Sequence, residues 1–332
     1  MVALLEIKEK LVRIYGKYEA YITPLLRFAL ALAAFLFINS NIGYMKTIST
    51  MPIALILAAV CSVLPVNAMI AIAALVILLN LYALSLEVFI VGALIFVFIY
   101  FVYFRFSPRY GYNAVLMPVC FKLGIPYVVP VGSGLLGEMY SVISVVCGSV
   151  IYFFLKGVHE NETTLSSASD AGSGASKITI ALNQLLMNKE MFLVIAIFTI
   201  ATIVVYIIRR MDIDNAWTVA WIAGILFEAI GLISGYLLLG IPGKIFGVVL
   251  GSIVSAAIAL GLQFLFFNVD YTRTERLQFE DDEYYYYVKA VPKSVITGSD
   301  KKVKHFHRNE EKERLTKKRF AEEMNIDEEL LD

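Results

Sequence analysis

Histidine is nearly missing from this chain, and its scarcity removes several chemistries. Of 332 residues only His159, His305 and His307 are histidines, and none falls within an apolar run. A membrane-embedded Ser-His hydrolase or an HExxH metalloprotease therefore has no imidazole to use. The stretch VGSGLLG has the outline of a serine elbow, but Ser133 lacks a base. Cys61, Cys120 and Cys147 sit in apolar segments without CxxC spacing, which argues for buried small hydrophobes and against a disulfide framework or a metal site. No GxxxxGK(S/T) loop is present, and no dinucleotide fingerprint that would bind nucleotide is expected. Charge is short as well: Asp, Glu, Lys and Arg make up 17% of the residues, against about 25% in an ordinary soluble domain. The expectation is a chain that is not an enzyme and carries no cofactor.

Apolar sequence fills the space that charge leaves. Hydrophobic residues reach 59% and the mean hydropathy is +0.74, so the chain reads as an all-α polytopic membrane protein. Its N-terminus is not a signal peptide, because charges run throughout residues 1–20. There Leu4, Ile7, Leu11, Ile14 and Tyr18 recur at steps of three and four, an amphipathic helix lying in the headgroup plane or packed on protein. A hydrocarbon core of about 30 Å takes roughly 20 residues at 1.5 Å each. That ruler finds about eight spans: Tyr21 to Ile38, two short helices from Met51 to Leu86 divided at Leu64 to Asn67, Val88 to Phe104, Met139 to Leu155, Met191 to Ile208, Ala216 to Leu239 and Gly243 to Phe267. The organisation is then an interfacial helix over 1–20, a first membrane region over 21–158, a polar linker over 159–190 ending in a short surface helix, a second membrane region over 191–268 and a charged tail over 269–332.

Between the fourth and fifth spans, residues 113–138 carry Pro126, Pro130, Gly124, Gly132, Gly134 and Gly137. Such a segment either dips in and returns as a re-entrant hairpin or kinks across the bilayer. Arg105 and Arg109, with Arg209 and Arg210, satisfy the positive-inside rule for cytoplasmic N- and C-termini only if it returns to the side it started from. Broken backbone at membrane depth must face protein or water, so Ser133, Lys122 and Glu138 become candidates for a solute path. Glu228, near the middle of its span, joins them, with Lys122 or Arg27 as partners. VLPVN from Val63 and VVPVG from Val128 align over a Pro-Val step, the pairing expected of transporter binding segments. No stronger internal repeat is evident.

Gly243, Gly247, Gly251 and Ser255 fall every fourth residue, a small-residue ladder for close helix packing, either on Gly231 and Gly235 or in a homo-oligomer. Residues 270–332 hold 13 Lys or Arg and 16 Asp or Glu. That net acidity gives no footing for nucleic acid. An acidic turn between strand-forming segments suggests a β-hairpin, with Phe279, Tyr284 and Tyr286 available to a cytoplasmic partner. KKVKHFHR can touch lipid headgroups, and the last residues form a charged helix. The segment QFEDDEYYYYVKAVPK after a Gly-rich span resembles one found in uncharacterised multi-pass membrane proteins of Gram-positive bacteria. The resemblance implies a cell-membrane location and brings no known activity. Two functions are expected from these features: a transporter or permease-like component whose path runs by the broken segment, or a membrane scaffold recruiting partners through its tail.

Overall fold

In lipid, a backbone must satisfy its own hydrogen bonds, so long apolar runs become helices. The computed structural model describes residues 2–166, 174–267, 275–281 and 283–290. Two units divide the chain, Glu6–Ser294 and Met1–Leu5 with Val295–Asp332. Of the second unit, only residues 2–5, the first turn of α1, are among the described residues. The helices are α1 Val2–Ile42, α2 Met51–Val63, α3 Val66–Leu84, α4 Leu86–Phe106, α5 Gly111–Lys122, α6 Val128–Leu136, α7 Ser141–Glu160, α8 Glu162–Ser166, α9 Gly174–Leu186, α10 Lys189–Arg210, α11 Ala216–Leu238 and α12 Ile245–Phe266. Strands β1 Glu275–Glu280 and β2 Tyr285–Ala290 follow, paired antiparallel with Leu277 opposite Val288 and Phe279 opposite Tyr286.

Seven helical stretches among the described residues are long and apolar enough to cross a membrane. Large side chains point away from the protein, with Leu94 at 69%, Phe98 at 67% and Phe101 at 69% exposed on α4 alone. A lipid bilayer stabilises such a surface, and with the seven apolar stretches it makes this an integral membrane protein. The short exception is α2, 13 residues long, which reaches about 20 Å. Pro52 in its first turn and Pro65, the N-cap of α3, confine it. In α1, Tyr18 leaves helical geometry (φ −116°, ψ 19°), two residues before the expected end of the amphipathic segment. Ile7, Leu11, Ile14 and Tyr18 stay exposed there.

Hydrogen bonds show which helix ends share a pole. Arg27 donates to the Leu64 carbonyl at 3.4 Å, and the Tyr103 hydroxyl donates to Asn67 Oδ1 at 2.6 Å and to the Pro108 carbonyl at 2.9 Å. Arg209 reaches the Leu135 and Gly137 carbonyls, the latter at 3.0 Å, and Trp217 stacks on Phe267 at 4.8 Å. These groups define the arginine pole. At the far pole, Met45 N and Ser49 Oγ both donate to Asn80 Oδ1 at 3.0 Å.

Residues 108–140 leave the arginine pole and come back to it. Ser107, before the segment, hydrogen bonds Ser144, after it, at 3.1 Å between their hydroxyl oxygens. The broken segment is therefore a re-entrant hairpin, its arms α5 and α6 about 18 and 14 Å long. Gly148 lets α5 lie close on α7, since a Cβ there would come within 3.0 Å of the Ala114 carbonyl and closer still to Met117. The stretch expected as a linker also acquires order: α9 lies on α7, where Asn161 Nδ2 donates to Gln184 Oε1 at 2.5 Å. Residues 167–173 and the tail after residue 290, where the basic run and the helix expected from the sequence fall, lie outside the described residues.

Candidate functional site

The hairpin breaks where it does because of four residues, Leu123 to Pro126, that read LGIP. The same four letters recur at Leu239 to Pro242. In each, the glycine adopts the left-handed conformation, Gly124 at φ 75° and Gly240 at φ 71°, which costs a residue with a Cβ about 1 kcal/mol or more. The next amide closes back on the helix: Ile125 N donates to Cys120 O and Ile241 N to Tyr236 O, both at 2.9 Å. This is the glycine-dependent Schellman ending, and the proline that follows prevents the helix from resuming. The repeat missed at the sequence level is thus LGIP, not the Pro-Val step. Pro65 caps α3 while Pro130 lies inside the first turn of α6, so those two prolines do different jobs.

A cavity of about 270 Å³ lies between the first turn and the residues that follow the second. Gly124, Pro126 and Tyr127 line it from the hairpin tip, and Gly243, Lys244 and Gly247 from just past the second turn and from α12. Across from them, Lys156 on α7 and Glu190 on α10 complete a charged wall. Lys156 Nζ is 3.7 Å from Glu190 Oε2 and 3.8 Å from Glu160 Oε1, and Lys244 pairs with Glu190 Oε1. Three tyrosines, Tyr127, Tyr152 and Tyr236, also line the space. A Cβ added at Gly243 or Gly247 would meet no atom within 4 Å.

Beneath the floor lies Glu228. On α11, residues 228, 232 and 236 share a face at four-residue steps; Leu232 and Tyr236 line the cavity, and Glu228 sits one turn, about 6 Å, deeper. Its side chain is fully buried, and neither carboxyl oxygen has a hydrogen-bond partner among the described residues. Toward the arginine pole Val131, Val205 and Ile225 pack in one buried cluster.

The four path candidates do not converge. Lys122 is exposed at the end of α5, and Glu138 is exposed at the arginine pole, where it accepts a bond from the Tyr140 hydroxyl. Ser133 is buried, but its hydroxyl donates to the Pro130 carbonyl at 3.0 Å. Neither Lys122 nor Arg27 pairs with Glu228, since Arg27 is engaged at Leu64. The letters from Gly132 to Gly137 do spell GxGxxG, a match passed over in the sequence reading. They form α6 and its cap, and Gly134 abuts Val205 on α10, so the spacing serves helix packing without the strand-turn-helix setting a nucleotide needs.

The small-residue ladder divides in two. A Cβ on Gly251 would collide with the Tyr127 ring, and Ser255 is fully buried, whereas Gly243 and Gly247 border empty space. Gly231 and Gly235 face Ile197 and Leu193 on α10 instead of the ladder. Phe279 and Tyr286 stack at 5.6 Å between their ring centres across the hairpin strands, and Tyr284 stands beside Tyr286. No protein-family model, no curated protein and no solved structure matches the chain.

Proposed function

We propose that this integral membrane protein is a solute transporter in which the cavity between the two LGIP turns is the vestibule and Glu228 is the coupling site for a proton or cation. The observation that carries the reading is a fully buried carboxyl whose two oxygens have no partner among the described residues, one turn below a polar cavity. A charge at bilayer depth costs about 2.5 to 3.5 kcal/mol on insertion scales, and a carboxyl left there without a partner is best used by binding something. The broken hairpin supplies the kind of discontinuous segment found at transport sites, beside a helix pair of full length. By the positive-inside rule the arginine pole is cytoplasmic, with both termini, and the vestibule opens outward. Catalysis has no place in this reading.

The test is ion-coupled flux in proteoliposomes loaded with a pH-sensitive dye. Glu228→Gln should lower coupled flux more than tenfold while the variant stays folded, because only the ionisable proton is lost. Unchanged flux together with unchanged stability would remove the reading. A second function rests on the tail hairpin, where Leu277, Phe279, Tyr286 and Val288 share one face and are 40 to 51% exposed. An isolated two-stranded hairpin is marginally stable, which favours a scaffold role with a cytoplasmic protein on that face. Deletion of residues 274–332 abolishes function under this reading and spares it under the first.

A further inference from the structure

The vestibule wall is not electrically balanced. Two lysines, Lys156 and Lys244, face the cavity with a single carboxylate, Glu190, between them. Glu160 touches Lys156 from outside the lining, on a side chain 54% exposed, where water screens it. Glu190 is 17% exposed and lies in the first turn of α10, so part of its charge is already engaged by the helix N-terminus. The cavity therefore holds an excess of positive charge.

Its remaining surface is aromatic and open. Phe121 stacks on Tyr152 at 4.1 Å and an interplanar angle of 6°, and Tyr127 meets Phe198 edge to face at 6.1 Å. Opposite these rings the wall is bare backbone at Gly243 and Gly247, with nothing in the space a side chain would fill. A volume of about 270 Å³ corresponds to roughly nine waters at about 30 Å³ each. That is room for one ring with a short substituent.

Resting on the transporter reading, we propose that the vestibule takes a small aromatic monocarboxylate. Its carboxylate would bridge Lys156 and Lys244 in competition with Glu190, and its ring would lie against the glycine wall. Charge excludes the corresponding amine.

Equilibrium titration of the full chain in nanodiscs of zwitterionic phospholipid tests this, with benzoate, benzyl alcohol and benzylamine as probes. Benzoate should bind at least tenfold tighter than benzyl alcohol, and benzylamine should not bind. Lys156→Met with Lys244→Met should weaken benzoate tenfold or more, and Glu190→Gln should tighten it. Should the lysine variant fail to fold, Gly247→Leu fills the cavity where no atom obstructs a side chain, and must also abolish binding. Equal affinity for the three probes, tighter benzylamine, or wild-type affinity in Gly247→Leu would overturn the proposal. So would loss of benzoate binding when phosphatidylglycerol replaces part of the lipid, which would assign the site to a lipid headgroup. No flux occurs in a nanodisc, so a negative result here leaves the Glu228 reading to its own assay. Glu228→Gln with intact benzoate binding and lost flux would separate the two roles.

Discussion

The α5–α6 and α11–α12 hairpins use one turn at two depths. Their LGIP endings agree in glycine conformation and in hydrogen-bond distances, yet α5 and α6 have 12 and 9 residues where α11 and α12 have 23 and 22. The long pair reaches about 34 Å and crosses the bilayer; the short pair stops near half that depth. Gly251, which abuts Tyr127 and the Gly124 carbonyl, lies seven residues, about 10 Å, beyond Lys244. The tip of the short hairpin therefore sits about 10 Å below the long one, and the vestibule occupies the missing length. A pocket arises here from truncation of a repeated unit, without any special lining being needed to open it.

Substitutions along α12 should separate the packed half of that comparison from the open half. Gly251→Leu drives a side chain into the hairpin tip and should cost about 3 kcal/mol, seen as a lower melting temperature in detergent. Gly247→Ala, one turn away, meets no atom and should leave the melting temperature unchanged. If both behave alike, the two hairpins are not offset in depth.

Arg209 fixes the short hairpin by its return end, donating to two carbonyls at the C-terminus of α6, where a cation also suits the helix dipole. Charge-assisted bonds are worth about 1.5 to 3 kcal/mol each before desolvation of the guanidinium is deducted. Arg209→Gln should cost about 2 kcal/mol in the same melting assay, and proteolysis should cut first near Gly137.

A smaller effect tests the likeness of the turns. Gly124→Ala and Gly240→Ala should each cost about 1 kcal/mol, because each forces a Cβ into left-handed backbone, and the double variant should be additive, as for separate sites. Unequal losses would show that one turn is held by its surroundings instead of by its own backbone.

The smallest effect lies outside the bilayer, at the tail hairpin. Asp281 Oδ1 accepts from the Glu283 and Tyr284 amides at 2.9 and 2.7 Å, and Oδ2 from the Tyr286 hydroxyl at 2.8 Å. These bonds, the two from the backbone foremost, hold its carboxyl below the ordinary value of 3.8. A depressed folded value means that the contribution is complete above the unfolded value and is lost as pH falls through the folded one. Hydrogen exchange at Glu283 and Tyr284 should be unaffected from neutral pH down to about 5 once corrected for intrinsic rates, and should quicken below about 4.

Periodicity and Pro/Gly placement made much of this fold legible. The end of the amphipathic segment fell within two residues of the Tyr18 kink, the apolar run after Met51 divided at Pro65, and the acidic turn lay between strands. Charge counting asked the segment at 113–138 to return only if both termini share a side, and left a kinked span open; the Ser107–Ser144 bond joins its two flanks at one pole. Glu228 stood out by its depth alone. The vestibule did not, because Lys156, Glu190 and Lys244 sit near the ends of three separate spans, where any one of them reads as an interfacial charge. Only the pairing of helix ends brings them together. The available signal was LGIP, written twice: its mark is the glycine that ends a helix, not a proline that precedes one.

The Ser107–Ser144 bond has a consequence for how the molecule is made. A hairpin whose two ends are stitched at one pole never has to thread across the bilayer, but its tip carries the charge of Lys122, which bare hydrocarbon would not accept. The groups that shelter the tip, Phe198, Gly247 and Gly251, belong to helices synthesised later. Because α10 and α12 supply that shelter, the tip of the hairpin is expected to become protected only once both are in place.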